Sequence, residues 1–347
     1  MRRVLAWLLT IIIITMTIFV VLFIYLINDV DYFENIDMPK IETKQEIKQV
    51  AVEFNDSVFS LMNKTSEEIT ELLGEPIRKD KTAYGYTWWV YDSLEKYIQL
   101  GMRDNRVETV FATGDELDSA PISIGDAYED LINDFTITPN VTYEKGISHY
   151  TFLLNEEDLQ VNPLIQLDED LFVQANIDTF TNEVSSLRIM TGDLLLSQRF
   201  YEMEYRGSLP EEIELSDKEW EEVQQGMEEQ IVSVTNVFRK RFGLQLLEYD
   251  PLVSKVAYAH SKDMHDQQYF SHESKDGRGL KERIEAENVY YVGAGENIAA
   301  QHSDALAAMH GWLNSEGHRE TMLNEQYNYL GVGVHRLYYT QNFIFKH

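Results

Sequence analysis

Trp312-Leu313-Asn314-Ser315-Glu316-Gly317-His318-Arg319 decides the reading of this chain of 347 residues. Upstream of it Leu306, Met309, His310 and Leu313 share one stripe, which predicts a helix over 303–314. Further upstream stands Gly295-Glu296-Asn297-Ile298-Ala299, and before that Tyr269-Phe270-Ser271-His272. A helix is expected before that segment: Asp250 can cap it, Pro251 suits its first turn, and Val253, Val256, Ala257, His260 and Met264 line one face. Ile231, Val234, Phe238 and Phe242 predict another helix, stopped by Gly243. Leu280 to Glu287 reads as a short helix. Downstream, Gly331-Val332-Gly333-Val334 and Tyr338 to Phe345 read as strands. Helices flanking a small antiparallel sheet give an α-β-α sandwich over residues 229–347.

The order and spacing of Val234-Thr235-Asn236-Val237-Phe238-Arg239, the Ala257–Met264 helix and the motifs ending in His272, Glu296, His318 and Val334 resemble the CAP domain. This is the SCP domain of cysteine-rich secretory, antigen 5 and pathogenesis-related proteins, and the match is to its bacterial branch. The resemblance implies a cleft lined by two His and, in many members, two Glu. The matching positions are His272, His318 and Glu296; the fourth falls at Ser315, so one carboxylate is missing. Glu316 beside it is expected to point elsewhere. Two neutral imidazoles and a carboxylate suit a divalent ion, Zn²⁺ or Ca²⁺, with His272, His318 and Glu296 as its ligands. Each also has a structural reading: Glu296 bracing a loop that includes Gly293-Ala294-Gly295, His272 organising a turn, His318 opening a helix. His260 and His310 read as core histidines, His265 and His302 as surface ones. The sequence has no Ser–His–Asp signature, no HExxH and no phosphate loop.

Residues 60–203 carry a weak internal repeat. Its first copy runs from Thr65 and Leu73-Gly74-Glu75-Pro76 through Trp88–Tyr91 and Ile98-Gln99-Leu100 to Thr113-Gly114-Asp115. Its second runs from Asp126 through His149–Phe152 and Ile165-Gln166-Leu167 to Thr191-Gly192-Asp193. Each copy predicts one short helix, with Thr65/Glu68 and Asp126/Glu129 at capping-box spacing, and a strand meander. Asp104-Asn105 is an expected hairpin turn. Tyr84, Tyr86, Trp88, Trp89 and Tyr91 read as sheet core. The region resembles the domain found before CAP domains in Gram-positive bacteria. Residues 204–228 are densely acidic and read as a linker whose second half enters a helix.

Residues 4–27 are apolar and uncharged after Arg2-Arg3. As a helix they span about 36 Å, enough for a hydrocarbon core of ~30 Å. No cleavage site follows, so they are expected to remain as a single-pass signal anchor with residues 1–3 cytoplasmic, residues 28–59 as a stalk and the bulk outside the cell membrane. Lys plus Arg is 29 against 59 Asp plus Glu, a net charge of -30, which excludes nucleic acid as a partner. Cys is absent, so neither disulfides nor a thiol nucleophile are available.

Three functions follow from these residues. The favoured one is a tethered module that binds a small apolar or cell-envelope ligand, a lipid or a cell-wall component, with or without a metal ion. The second is a hydrolase of cell-wall peptide or protein, with Glu296 as general base. The third is an envelope scaffold. Binding is preferred to catalysis because a fold resemblance does not carry chemistry by itself.

Overall fold

The computed structural model describes residues 56–347, so the expected tip, anchor and most of the stalk lie outside the described residues. Among the described residues no helix is long and apolar enough to cross a membrane.

The first helix, α1 (Ser66–Leu73), starts at the expected box. Thr65 Oγ1 accepts from the Glu68 N–H, and the Glu68 carboxylate accepts from the Thr65 N–H. Strands β1 (Arg78–Lys81), β2 (Thr87–Tyr91), β3 (Tyr97–Arg103) and β4 (Arg106–Thr113) follow. Asp104 and Asn105 join β3 to β4 with φ of 48° and 63°, the left-handed pair that a tight hairpin requires. The second half contains α2 (Tyr128–Asp134), β5 (Asn140–Lys145), β6 (Ser148–Leu153), α3 (Glu156–Val161), β7 (Leu164–Asp168), β8 (Leu171–Asp178), β9 (Glu183–Met190), α4 (Gly192–Gln198) and β10 (Glu202–Arg206).

Seven of these strands form one sheet, ordered β1-β2-β3-β4-β9-β8-β7. The halves meet where β4 pairs antiparallel with β9, with Val110 opposite Ile189. Three strands on each side of that junction, β4-β3-β2 and β9-β8-β7, mirror each other as two copies of a meander do, and β1 is an extra edge strand of the first half. Two expectations are corrected. The run His149–Phe152 does not occupy the place of Trp88–Tyr91, because β6 pairs with β5 and β10 in a separate three-stranded sheet. Asp126 does not cap α2 either. Ala127 holds that position without a side-chain bond, and the Asp126 carboxylate accepts from the Ser123 N–H.

The acidic run is largely ordered. Its start belongs to β10, and Ser216 caps α5 (Asp217–Arg241) through a second capping box with Glu219. Beyond α5 come β11 (Glu248–Tyr249), α6 (Pro251–Asp266), α7 (Leu280–Ala286), β12 (Gly293–Ala300), α8 (Ala305–Leu313), α9 (Glu316–Met322), β13 (Tyr329–His335) and β14 (Tyr338–Phe345). Asp250 caps α6 from the position expected, accepting from the N–H groups of Leu252 and Val253. The sheet order is β11-β13-β14-β12. Alternation along β14 shows the sandwich directly. The Thr340 hydroxyl meets Ser261 on α6, while the next side chain, Gln341, donates to Thr235 on α5. The Gly331-Val332-Gly333-Val334 motif has the same logic. A Cβ at Gly331 or Gly333 would collide with the α6 backbone at Val253–Ser254 or Tyr258, so the glycines let α6 lie against the sheet while Val332 and Val334 fill the opposite core.

The two halves share one apolar cluster, in which Tyr86, Trp88 and Phe111 join Val223, Met227, Ile231 and Trp312. Polar contacts cross the same seam. Arg188 on β9 makes a two-pronged pair with Asp304, the cap of α8, at 2.7 and 3.0 Å. Arg319 on α9 donates to Asp178 at 2.9 Å, its guanidinium held between the rings of Phe180 and Phe242.

Candidate functional site

Glu296 lies within strand β12, paired with β14 opposite Asn342, and not at the end of a loop as expected. Gly293 to Gly295 are strand residues; Gly295 leaves room for Tyr327 and Thr321, which a Cβ there would strike. The Glu296 side chain is only 3% exposed, and three neighbours surround it. Oε1 lies 2.9 Å from His272 Nδ1, Oε2 accepts from Arg283 Nη2 at 2.7 Å, and His260 Nε2 stands 3.9 Å from Oε1. Arg283, on α7, also donates to the carbonyls of His272 and Arg278, so it fixes the backbone that carries His272. His260 is buried on α6 and bonds the Ser271 carbonyl; burial pushes its pKa below the ordinary histidine value. The His272 side chain is 58% exposed.

His318 forms a second pair. Ser315 holds the N-cap position of α9 without a side-chain capping bond, and its Oγ lies 2.9 Å from His318 Nδ1, while Glu316 is exposed. Asn297, the residue after Glu296, donates to the His318 carbonyl at 3.0 Å and so ties α9 to β12. Burial, and then the charge of the neighbouring His272, lower the His318 pKa and so favour its neutral form.

An open hollow of about 380 Å³ is lined by His272, Glu273, Gly277, Gly279, Leu280 and Glu296. Beneath it, His260 Nδ1, Arg283 Nε and both polar side-chain atoms of Asn342 are buried without a hydrogen-bond partner among the described residues. The three expected ligands therefore divide. His272 and Glu296 are bonded to each other, and His318 and Ser315 form a pair beside them. Glu296 is placed as the orienting partner of His272, because Arg283 and His272 already take its two oxygens. Each imidazole has Nδ1 engaged, His272 by Glu296 and His318 by Ser315, which leaves Nε2 as the nitrogen open to a further partner. Among the described residues, the set of three His and carboxylate side chains whose ligand atoms lie within 4.8 Å of one another is elsewhere, at His265, Asp266 and His335.

Sequence reasoning missed Arg283, which sits alone on a short helix and leaves no periodic signal. It took His260 for an ordinary core residue. His310 is the satisfied core histidine expected, donating to the Ile177 carbonyl at 3.1 Å. His302 is not a surface residue: it is partly buried against Gly311, and burial lowers its pKa.

An α-β-α sandwich with a carboxylate-oriented imidazole in an open hollow, mounted on a two-repeat β domain, defines a CAP-type protein with an associated N-terminal domain. The comparisons agree. Residues 232–346 match the cysteine-rich secretory protein family, and residues 62–201 match the CAP-associated N-terminal domain. The chain is 42% identical over 288 residues to the Bacillus subtilis membrane protein YlbC, an alignment that covers 83% of each. It also superposes on an extracellular SCP-domain protein of Bacillus anthracis, with a TM-score of 0.80 at 39% identity, covering 87% of this chain and all of that one. A Staphylococcus aureus cysteine-rich secretory protein shares the fold, with a TM-score of 0.75 at 24% identity over 84% of this chain and 94% of its own. The protein belongs to the cysteine-rich secretory protein (CAP) family.

Proposed function

We propose that this protein is a single-pass, envelope-anchored binding module that takes a small apolar or cell-wall ligand at the His272 hollow. The observation that carries the reading is the division of labour around Glu296. Its carboxylate is nearly inaccessible and is occupied by Arg283 and His272, whereas His272 itself is open to solvent. A carboxylate with both oxygens engaged is a poor proton acceptor for an attacking water, and Ser315 stands where a second carboxylate would be needed. The arrangement favours binding over hydrolysis. Within the hollow His272 offers a directed polar contact, while Leu280 and the side-chain-free Gly277 and Gly279 offer close apolar approach. A divalent ion held between the imidazoles would add a Lewis-acidic contact for a ligand oxygen. The names of the relatives, a membrane protein in one case and an extracellular protein in another, support an anchor at residues 4–27 with the folded body outside.

The test uses the full chain in nanodiscs, titrated with soluble muropeptides and with a fluorescent fatty acid. The reading expects one of these to bind and its affinity to drop at least about tenfold in the His272→Ala, His318→Ala double variant. Equal affinity in both proteins, or release of cleaved product from the muropeptides, contradicts it.

A further inference from the structure

His265, Asp266 and His335 lie away from the hollow, where the last turn of α6 meets the end of β13. His265 Nδ1 is 2.9 Å from Asp266 Oδ1, and His335 Nε2 is 3.9 Å from the same oxygen. The two imidazole rings stand 5.0 Å apart at 71°. Tyr258 Oη is 3.3 Å from His335 Nδ1, and the Tyr338 ring packs edge-on against His265, so both imidazoles are braced from outside the cluster. The Lys262 ammonium pairs with the other Asp266 oxygen, Oδ2.

From this geometry we infer a second metal site, a surface Zn²⁺ site formed by His265, Asp266 and His335. Two imidazoles and one carboxylate are a borderline donor set, suited to Zn²⁺ and poorly suited to Ca²⁺ or Mg²⁺, which take oxygen ligands. In a tetrahedral Zn²⁺ site the ligand atoms lie roughly 3.3 Å apart. The three atoms here need only a small adjustment of side chains that are partly exposed. Tyr258 is an outer partner for His335: by accepting from Nδ1–H it leaves Nε2 bare for the ion. The C-terminal end of α6 adds negative potential. The fourth position stays open to water, and the ion fastens the end of α6 to the β13–β14 hairpin. Lys262 is the built-in competitor, because its ammonium must leave Asp266 or share it when the ion binds.

Equilibrium dialysis of the full chain in nanodiscs against Zn²⁺ alone, with thermal melts at each concentration, tests the site. His265→Ala and His335→Ala are each expected to weaken this binding at least about tenfold and to abolish the Zn²⁺-dependent rise in Tm. Lys262→Ala is expected to tighten it. The His272→Ala, His318→Ala double variant removes any Zn²⁺ held at the hollow and should keep the ion at His265, Asp266 and His335 together with its Tm rise, so a failure here is distinguishable from a failure at the hollow. Zn²⁺ binding that is unchanged in His265→Ala, whose partly exposed side chain can be removed without unfolding, overturns the inference. So does binding lost only in the double variant.

Discussion

Arginine–carboxylate pairs hold both the seam between the two domains and the hollow beneath His272, yet they do different work. At the seam, Arg188 and Asp304 are buried and answer each other with two parallel hydrogen bonds. In the hollow, Arg283 and Glu296 are as deeply buried, but Glu296 passes its second oxygen to an imidazole that faces solvent. A closed pair fixes architecture; an open one presents a side chain in a defined orientation. The α8–α9 corner belongs to both regions. Asn314 accepts from Thr179, Arg319 pairs with Asp178, and the intervening His318 stands beside the hollow. The N-terminal domain therefore holds the helix that carries His318.

The comparison breaks first at the seam. Asp304→Asn keeps an acceptor for the Ala307 N–H but leaves Arg188 buried without its charge partner. A loss of about 3–5 kcal/mol is expected in denaturant unfolding, with much of it recovered by a paired Arg188→Met, Asp304→Leu replacement. A smaller effect follows acidification. Burial pushes His310 down to about 4, against 6.5 for the exposed side chain. Between these values the unfolded chain binds a proton that the folded one excludes, so stability present above about pH 6.5 is lost as pH falls toward 4. The cost is of order 1–3 kcal/mol in wild type, and His310→Gln should make the Tm-versus-pH curve shallower across that window, the remaining slope coming in part from His335, which burial also pushes down to about 4. Asp178→Asn, which weakens the tether on α9, is expected to cost about 1–2 kcal/mol and also to reduce ligand affinity, because His318 loses its fixed position. At the hollow the pattern inverts. Replacing His272 by Ala should change stability by no more than about 0.5 kcal/mol, as an exposed site does, while ligand affinity falls. A large stability loss there would make His272 a structural residue.

Much of the C-terminal domain was legible in the sequence because its signals are local. Asp250-Pro251 opens a helix wherever it occurs before an apolar stripe, and a Gly-Val-Gly-Val strand announces a helix packed on its glycine face. The three side chains of the site were legible only through resemblance, since 24 residues separate His272 from Glu296. Neither route could show who partners whom. Arg283 contacts Glu296 through a fold that no periodicity encodes. The Arg188–Asp304 and Arg319–Asp178 pairs join residues 116 and 141 positions apart. Glu296 itself was placed on the wrong element, because a Gly-Ala-Gly sequence reads as a loop until a neighbouring strand supplies its hydrogen bonds. The repeat misled in a related way: the second copy keeps the sequence rhythm of the first while sending its aromatic strand into a different sheet.

The hollow is where ligand is proposed to meet protein, and imidazole NMR reads that directly. With the histidines isotopically labelled and assigned by single substitution, soluble muropeptides or a fatty acid are titrated into the full chain in nanodiscs. The His272 and His318 ring resonances are expected to shift together while those of His265, His335 and His310 stay in place. Saturable binding that leaves His272 and His318 unmoved would contradict it.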